Sequence, residues 1–180
     1  MVQSVVQLTR ADSTEDLKAA VLGRIQSLAN AHALLADSRW DGVELSHLVE
    51  EELAPFSDGT TQQATYEGPP VLLRPSAAQS LALVLHELAT NAAKYGALSA
   101  ADGKLDVRWT VSDDPRSLII TWSERASGSV SAPTRAGFGT RIIATSVERQ
   151  LRGRLDQEWT DQGLQCRIEF PLENVAAQDS

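Results

Sequence analysis

The chain has 180 residues, 42% of them hydrophobic and 22% charged, with a formal net charge of −8 and a pI near 4.8. That size and balance fit one well-buried globular domain, or one domain with a helical appendage. The acidic excess excludes broad electrostatic binding to nucleic acid or anionic lipid, and a single cysteine, Cys166, excludes a disulfide framework or a Cys-based zinc site.

A nucleotide stays compatible with this charge, because a bound Mg²⁺ and a few basic groups can offset its phosphates. No apolar run reaches the length of a membrane span, and the start lacks the regions of a signal peptide, so a cytoplasmic location is expected. His32, His47 and His86 are too scattered to read as a metal cluster.

Val2, Val5, Val6 and Leu8 read as the end of an amphipathic helix. Asp12-Ser13-Thr14-Glu15 supplies helix-start chemistry, and Leu17, Val21, Leu22, Ile25, Leu28, Leu34 and Leu35 continue at helical spacing. Two such helices make a partial hairpin over residues 1–38, whose apolar face invites a second copy or a neighbouring domain. Ser38-Arg39-Trp40-Asp41-Gly42 breaks the pattern. Val43-Glu44-Leu45 is a brief strand, Ser46 is placed to cap a helix through Leu53, and Pro55 ends it. Residues 57–68 read as a polar loop with a strand around Gln63–Tyr66, and Val71-Leu72-Leu73 as a short buried strand.

Pro75 then opens the longest helix of the chain. At about 100° per residue, Leu81, Leu85, Leu88 and Ala92 form one apolar stripe, and Glu87, Asn91 and Lys94 a polar stripe on roughly the opposite side. Gly96 stands where a helix end favours a left-handed residue. On an arbitrary helix such a polar face is a solvated stripe with an ion pair between turns. A carboxylate, an amide and an ammonium one turn apart can also position a water, bind a metal ion and neutralise a phosphate.

Leu105, Val107, Trp109 and Val111 alternate with polar residues, Asp113-Asp114-Pro115-Arg116 turns the chain, and Leu118–Trp122 returns as a second strand. Residues 125–137 are a Ser/Ala/Gly/Pro loop without periodicity. Gly137-Phe138-Gly139-Thr140-Arg141 leads into a helix carrying Ile142, Ile143, Val147 and Leu151, closed by Gly153. A last hairpin covers Arg154–Thr160 and Leu164–Phe170, and residues 172–180 are expected to fray. The order predicts an α/β fold: a two-layer sandwich of a mixed sheet with helices on one face.

Three stretches could line one pocket. They are the polar face of the central helix, the strand end Trp122-Ser123-Glu124, and the glycine-bracketed turn, whose backbone N–H groups and helix N-terminus suit phosphate. No Gly-Lys-Ser/Thr follows, so the turn is not a Walker loop. A carboxylate at Glu124 could accept from an exocyclic amine such as that of adenine.

In this order the motifs resemble those of the HWE histidine kinases. His86-Glu87-Leu88-Ala89-Thr90-Asn91-Ala92-Ala93-Lys94-Tyr95-Gly96-Ala97-Leu98-Ser99 is similar to that family's N box, Trp122-Ser123-Glu124 to its first glycine-box motif, and Gly137-Phe138-Gly139-Thr140-Arg141 to its second. The likeness extends from about Val2 to Pro171 and includes Arg24–Leu35 and Trp40. It implies a Bergerat-type (GHKL) ATP-binding domain over 39–172, behind the partial dimerisation and phosphotransfer hairpin of 1–38 and before a tail at 173–180.

By the same resemblance Asn91 would coordinate the Mg²⁺ of bound ATP. Glu87 would polarise a water or the phosphoacceptor, with His86 and Lys94 completing the catalytic set. Lys94, Tyr95, Glu124, Gly137, Phe138, Gly139, Thr140 and Arg141 would surround the nucleotide, with Glu124 toward the adenine. The implied partners are a response-regulator receiver domain, an upstream sensor domain or acceptor His, and a second copy through the N-terminal helices.

Two departures stand out. Arg125-Ala126-Ser127-Gly128 is poorer in glycine than the family pattern, and no His before His32 matches the phosphoacceptor position. The expectation is therefore either a segment that starts inside the first helix or a relative unable to phosphorylate itself in cis. A non-catalytic adaptor that docks a response regulator, and an ATPase or a Ser/Thr protein kinase on the same fold, are the competing expectations.

Overall fold

The computed structural model describes residues 14–56, 63–126 and 138–177. In chain order the elements are helix α1 (Thr14–Asp37), strand β1 (Val43–Glu44), helix α2 (Leu45–Leu53), strands β2 (Ala64–Glu67) and β3 (Leu72–Leu73), and the long helix α3 (Pro75–Tyr95). A hairpin of β4 (Lys104–Asp113) and β5 (Arg116–Arg125) follows. Helix α4 (Phe138–Ala144), a hairpin of β6 (Arg154–Thr160) and β7 (Gly163–Pro171), and the short helix α5 (Leu172–Val175) complete the order.

Five strands form one mixed sheet in the order β2-β4-β5-β7-β6, with β2 parallel to β4 and every other pair antiparallel. Successive side chains of a strand alternate between faces, so Leu105, Val107 and Trp109 of β4 share one face with Ile120 and Trp122 of β5 and Cys166, Ile168 and Phe170 of β7. All are buried, while Arg108, Thr121 and Arg167 on the opposite side are exposed. The buried face packs with α2, α3 and the α4 region in one apolar cluster. This is the two-layer α/β sandwich the sequence predicts.

Helix α3 lies in the middle of the helical layer, and its environment is drier than a simple amphipathic reading suggests. Leu81 to Leu85 are buried without interruption, as are Glu87, Leu88, Ala89 and Ala92. Neighbours on several sides, rather than a sheet on one side, remove most of its circumference from water. Pro75 does occupy the first turn.

Helix α1 joins the main core through Ala31 and Leu35, both fully buried. One helical level earlier, Leu28 packs with Leu83 of α3 and Ile142 of α4 in a separate small cluster. The helix ends where Trp40 N–H donates to Leu35 O at 2.7 Å, with Arg39 and Trp40 at φ of 54° and 68°. These left-handed conformations stop the helix at the sequence break.

Three local expectations are corrected. Helix α2 begins at Leu45 rather than after a Ser46 cap, because Leu45 N–H donates to Val71 O at 3.0 Å as β1 pairs with β3. Gly96 is extended (φ −119°, ψ −153°), not left-handed. The stretch after Pro171 does not fray at once: α5 forms, Arg74 N–H donates to Val175 O, and Ala177 N–H donates to Leu72 O. No helix among the described residues is long and apolar enough to cross a membrane.

Because Leu35 seats α1 in the main core, Leu35→Ala should cost about 2–5 kcal/mol of stability, the range for truncating a fully buried leucine. The check is a lowered urea midpoint. An unchanged midpoint would mean that α1 is not part of the cooperative fold.

Candidate active site

Residues 87, 91 and 94 recur at helical spacing, so they stay on one side of α3. Glu87 is only 5% exposed, and a carboxylate that dry needs a partner. Arg24 of α1, 4% exposed, provides it: Nε donates to Oε1 at 2.6 Å and Nη2 to Oε2 at 3.0 Å. This is a bidentate, charge-assisted pair between the two helices.

Gly139, near the start of α4, sits directly against the same carboxylate. A Cβ there would collide with Glu87 Oε2 and would lie 3.8 Å from Asn91 Nδ2. A larger residue would have to displace the Glu87 carboxylate, and the close approach brings the α4 turn onto the Glu87–Asn91 face. Thr140 is half-buried and Arg141 exposed beside it. Lys94 and Tyr95 are exposed at the far end of α3. Gly137 lies outside the described residues, and Phe138 is placed as the first residue of α4.

His86 belongs to a neighbouring polar layer. Its Nδ1 is 3.4 Å from Glu52 Oε2, while the hydroxyl of Ser27 donates to Glu52 Oε1 at 2.5 Å. A Cβ on Gly23 would lie 2.9 Å from His86 Nε2, so the ring packs closely on α1. His86 thus joins α1, α2 and α3 at their crossing.

At the sheet end, Trp122 and Glu124 are two residues apart on β5 and face the same way. The Trp122 indole N–H donates to Glu124 Oε1 at 2.9 Å, and Ala97 N–H donates to Oε2 at 2.9 Å. Glu124 is 1% exposed, and a Cβ on Gly96 would collide with its Oε2. The close approach of the carboxylate, rather than a positive φ, explains the glycine at the end of α3. Glu124, the residue expected toward the adenine, thus accepts one protein hydrogen bond on each carboxylate oxygen.

Sequence reasoning passed over Arg24, Ser27 and Glu52. A signal for Arg24 exists: Leu17, Val21, Leu28, Ala31 and Leu35 mark the inner stripe of α1, and position 24 falls in that series with a charge where an apolar residue belongs. Ser27 and Glu52 carry no comparable signal.

Burial holds the Glu124 carboxyl above its ordinary range, with the hydrogen bonds from Trp122 and Ala97 opposing the shift. A raised carboxyl contributes stability that is fully present below its unfolded-state value and is lost as pH rises through the folded-state value. Glu124→Gln does not ionise, so its stability should gain on wild type as pH rises from about 4.5, the ordinary carboxyl value, toward neutral. Urea unfolding of both proteins across that range is the check. A constant difference would show that the carboxyl titrates alike in the folded and unfolded states.

A family model described as HWE histidine kinase matches residues 1–70. A blue-light-activated histidine kinase of Rhizobium johnstonii is 39% identical over 171 residues, covering 95% of this chain and 49% of the relative. A blue-light-activated histidine kinase of Brucella anthropi is 34% identical over 176 residues, covering 96% of this chain and 36% of the relative. The chain thus spans half or less of the length of these curated relatives. Among solved structures, the histidine kinase domain of Erythrobacter litoralis EL346 blue-light activated histidine kinase has a TM-score of 0.70 at 16% identity, with 96% of this chain and 91% of that one covered. A longer structure of the same kinase gives 0.73 at 17%, covering 95% and 55%. These structural likenesses are of fold. Over the part of its relatives that it spans, the chain belongs to the HWE histidine kinase family.

Proposed function

We propose that the chain is the ATP-binding catalytic region of a sensor histidine kinase, which transfers the γ-phosphoryl group of ATP to a histidine for relay to a response-regulator aspartate. The observation that carries this reading is the convergence of Glu87 and Asn91 on the Gly139 turn. That convergence supports reading the polar face of α3 as the wall of a site rather than as a solvated stripe.

The residues present fit Mg²⁺-ATP. Among the described residues no three His, Cys, Asp or Glu gather around one point, so a dedicated protein cage for a metal is not built there. Mg²⁺ in nucleotide sites is held by few protein oxygens together with phosphates and water, and the Asn91 amide oxygen suits that role. Gly139 gives backbone N–H groups close access to phosphate at the start of α4. Bound Mg²⁺-ATP supplies the phosphoryl group and the charge neutralisation that its transfer needs.

The chain's own residues then do positional work. Asn91 orients the triphosphate, and Lys94, Thr140 and Arg141 contribute donors along it. Glu87 orients the water or imidazole N–H that meets the phosphoryl group. His86 holds the crossing of α1, α2 and α3 on which Glu87 stands. Glu124 shapes the adenine side by fixing the end of β5 to Ala97. In this reading the catalytic domain covers 39–172, with 1–38 as the partial hairpin and 173–180 as the tail. Its partners are a receiver domain, a histidine-bearing segment and a second copy of the N-terminal helices. Retention of Glu87, Asn91, Lys94, Glu124 and both glycines disfavours the adaptor that has lost nucleotide.

The test is Mg²⁺-dependent ATP binding by wild type and by Asn91→Ala. Loss of the metal ligand should weaken affinity about tenfold or more and reduce its Mg²⁺ dependence. Titration calorimetry with and without Mg²⁺ reads both effects. Equal, metal-independent affinity of the two proteins would overturn the site.

A further inference from the structure

We propose that Arg24 is a positioning residue for phosphoryl transfer: its guanidinium holds the Glu87 carboxylate in the one orientation that presents Oε2 to the Gly139 turn. The inference rests on the nucleotide-site reading above and extends the active site onto α1, an element outside the nucleotide-binding layer.

The two hydrogen bonds are unequal. Oε1 is bound at 2.6 Å by Nε, and Oε2 at 3.0 Å by Nη2. Oε1 is the anchor, and Oε2, the more loosely held oxygen, is the one that meets Gly139. A planar fork on a planar carboxylate fixes the rotation of the carboxylate as well as its place. It also leaves lone-pair capacity on Oε2, since an ionised carboxylate accepts about four hydrogen bonds. An unbound glutamate side chain would instead distribute over several rotamers and would rarely face the turn.

Packing alone does not call for this pair. Leu28, Leu83 and Ile142 already form an apolar contact joining α1, α3 and α4, and Ala31 and Leu35 seat the helix in the main core. Apolar residues of similar volume commonly replace a buried ion pair without loss of stability. A charged pair within an otherwise apolar stripe of α1 therefore has its use in the carboxylate it presents. Nor is Arg24 simply a phosphate ligand: the residue is 4% exposed, and Glu87 takes both Nε and Nη2.

Arg24→Lys and Arg24→Gln test the idea. Lys keeps the charge but loses the fork, and it is the variant that keeps a cation beside the buried carboxylate should Gln fail to fold. Three quantities are read on the full chain: the Kd for Mg²⁺-ADP, the rate of phosphate release from saturating Mg²⁺-ATP, and the urea midpoint. The expected result is a Kd within about twofold of wild type and a rate about tenfold lower for Lys and lower still for Gln. Wild-type rates in the variants would overturn the proposal, and so would a wild-type protein that binds Mg²⁺-ADP yet releases no phosphate. A parallel loss of affinity, rate and urea midpoint would assign Arg24 a structural role and overturn it as well. Failure of the underlying reading looks different, because wild type itself would then not bind Mg²⁺-ADP.

Discussion

Three carboxylates that lie out of water hold the helical layer in register. Glu52, Glu87 and Glu124 are each 5% exposed or less, and each has at least one partner outside its own element. Glu52 of α2 binds Ser27 of α1 and approaches His86 of α3. Glu87 of α3 binds Arg24 of α1. Glu124 of β5 binds the backbone just beyond α3 as well as Trp122. A buried charge without partners is among the costliest features a fold can carry, so each bond constrains where two elements sit. Apolar packing seats α1 on α3, and these directional contacts set how the polar groups of neighbouring elements face one another.

The fold was legible wherever one periodicity dominated. Leu105, Val107 and Trp109 repeat every second residue, and one face of β4 is buried on that pattern. The length and start of α3 followed from Pro75 and an uninterrupted run of helix formers. Legibility failed where a distant residue decided the local geometry. Gly96 looks like a left-handed helix stop, yet its backbone is extended and its missing side chain makes room for Glu124, 28 positions away in a strand. Likewise the start of α2 is set by Val71 through β1–β3 pairing, not by the adjacent Ser46. Short-range rules see neither contact.

The site divides in the same way. The spacing of Glu87 and Asn91, and the glycine turn at 139, are local patterns, and the structure brings these three residues together. What the spacing did not reveal is that Glu87 is dry and already engaged. A polar residue on a polar stripe is expected to face solvent, but α1 covers that part of the stripe with Arg24. The partner sits 63 residues earlier, so the pairing is visible from sequence only as a charge out of place in the apolar series of α1.

Trp122 and Glu124 show why a two-residue spacing can act as one unit. On a strand, residues i and i+2 share a face, so the indole N–H and the carboxylate are neighbours without help from any other element. A buried indole needs an acceptor, and a buried carboxylate needs donors; this pair meets both needs at 2.9 Å. The second oxygen then takes Ala97 N–H, which fixes the segment leaving α3 to the end of β5. Gly96 leaves room beneath it, because a Cβ there would strike Oε2 and displace the carboxylate. Indole, carboxylate, backbone amide and glycine therefore form a single joint between sheet and central helix. That joint holds one end of α3, and the Arg24–Glu87 pair holds its middle. Asn91 lies on α3 between these two restraints, and its position relative to Gly139 is fixed from both directions.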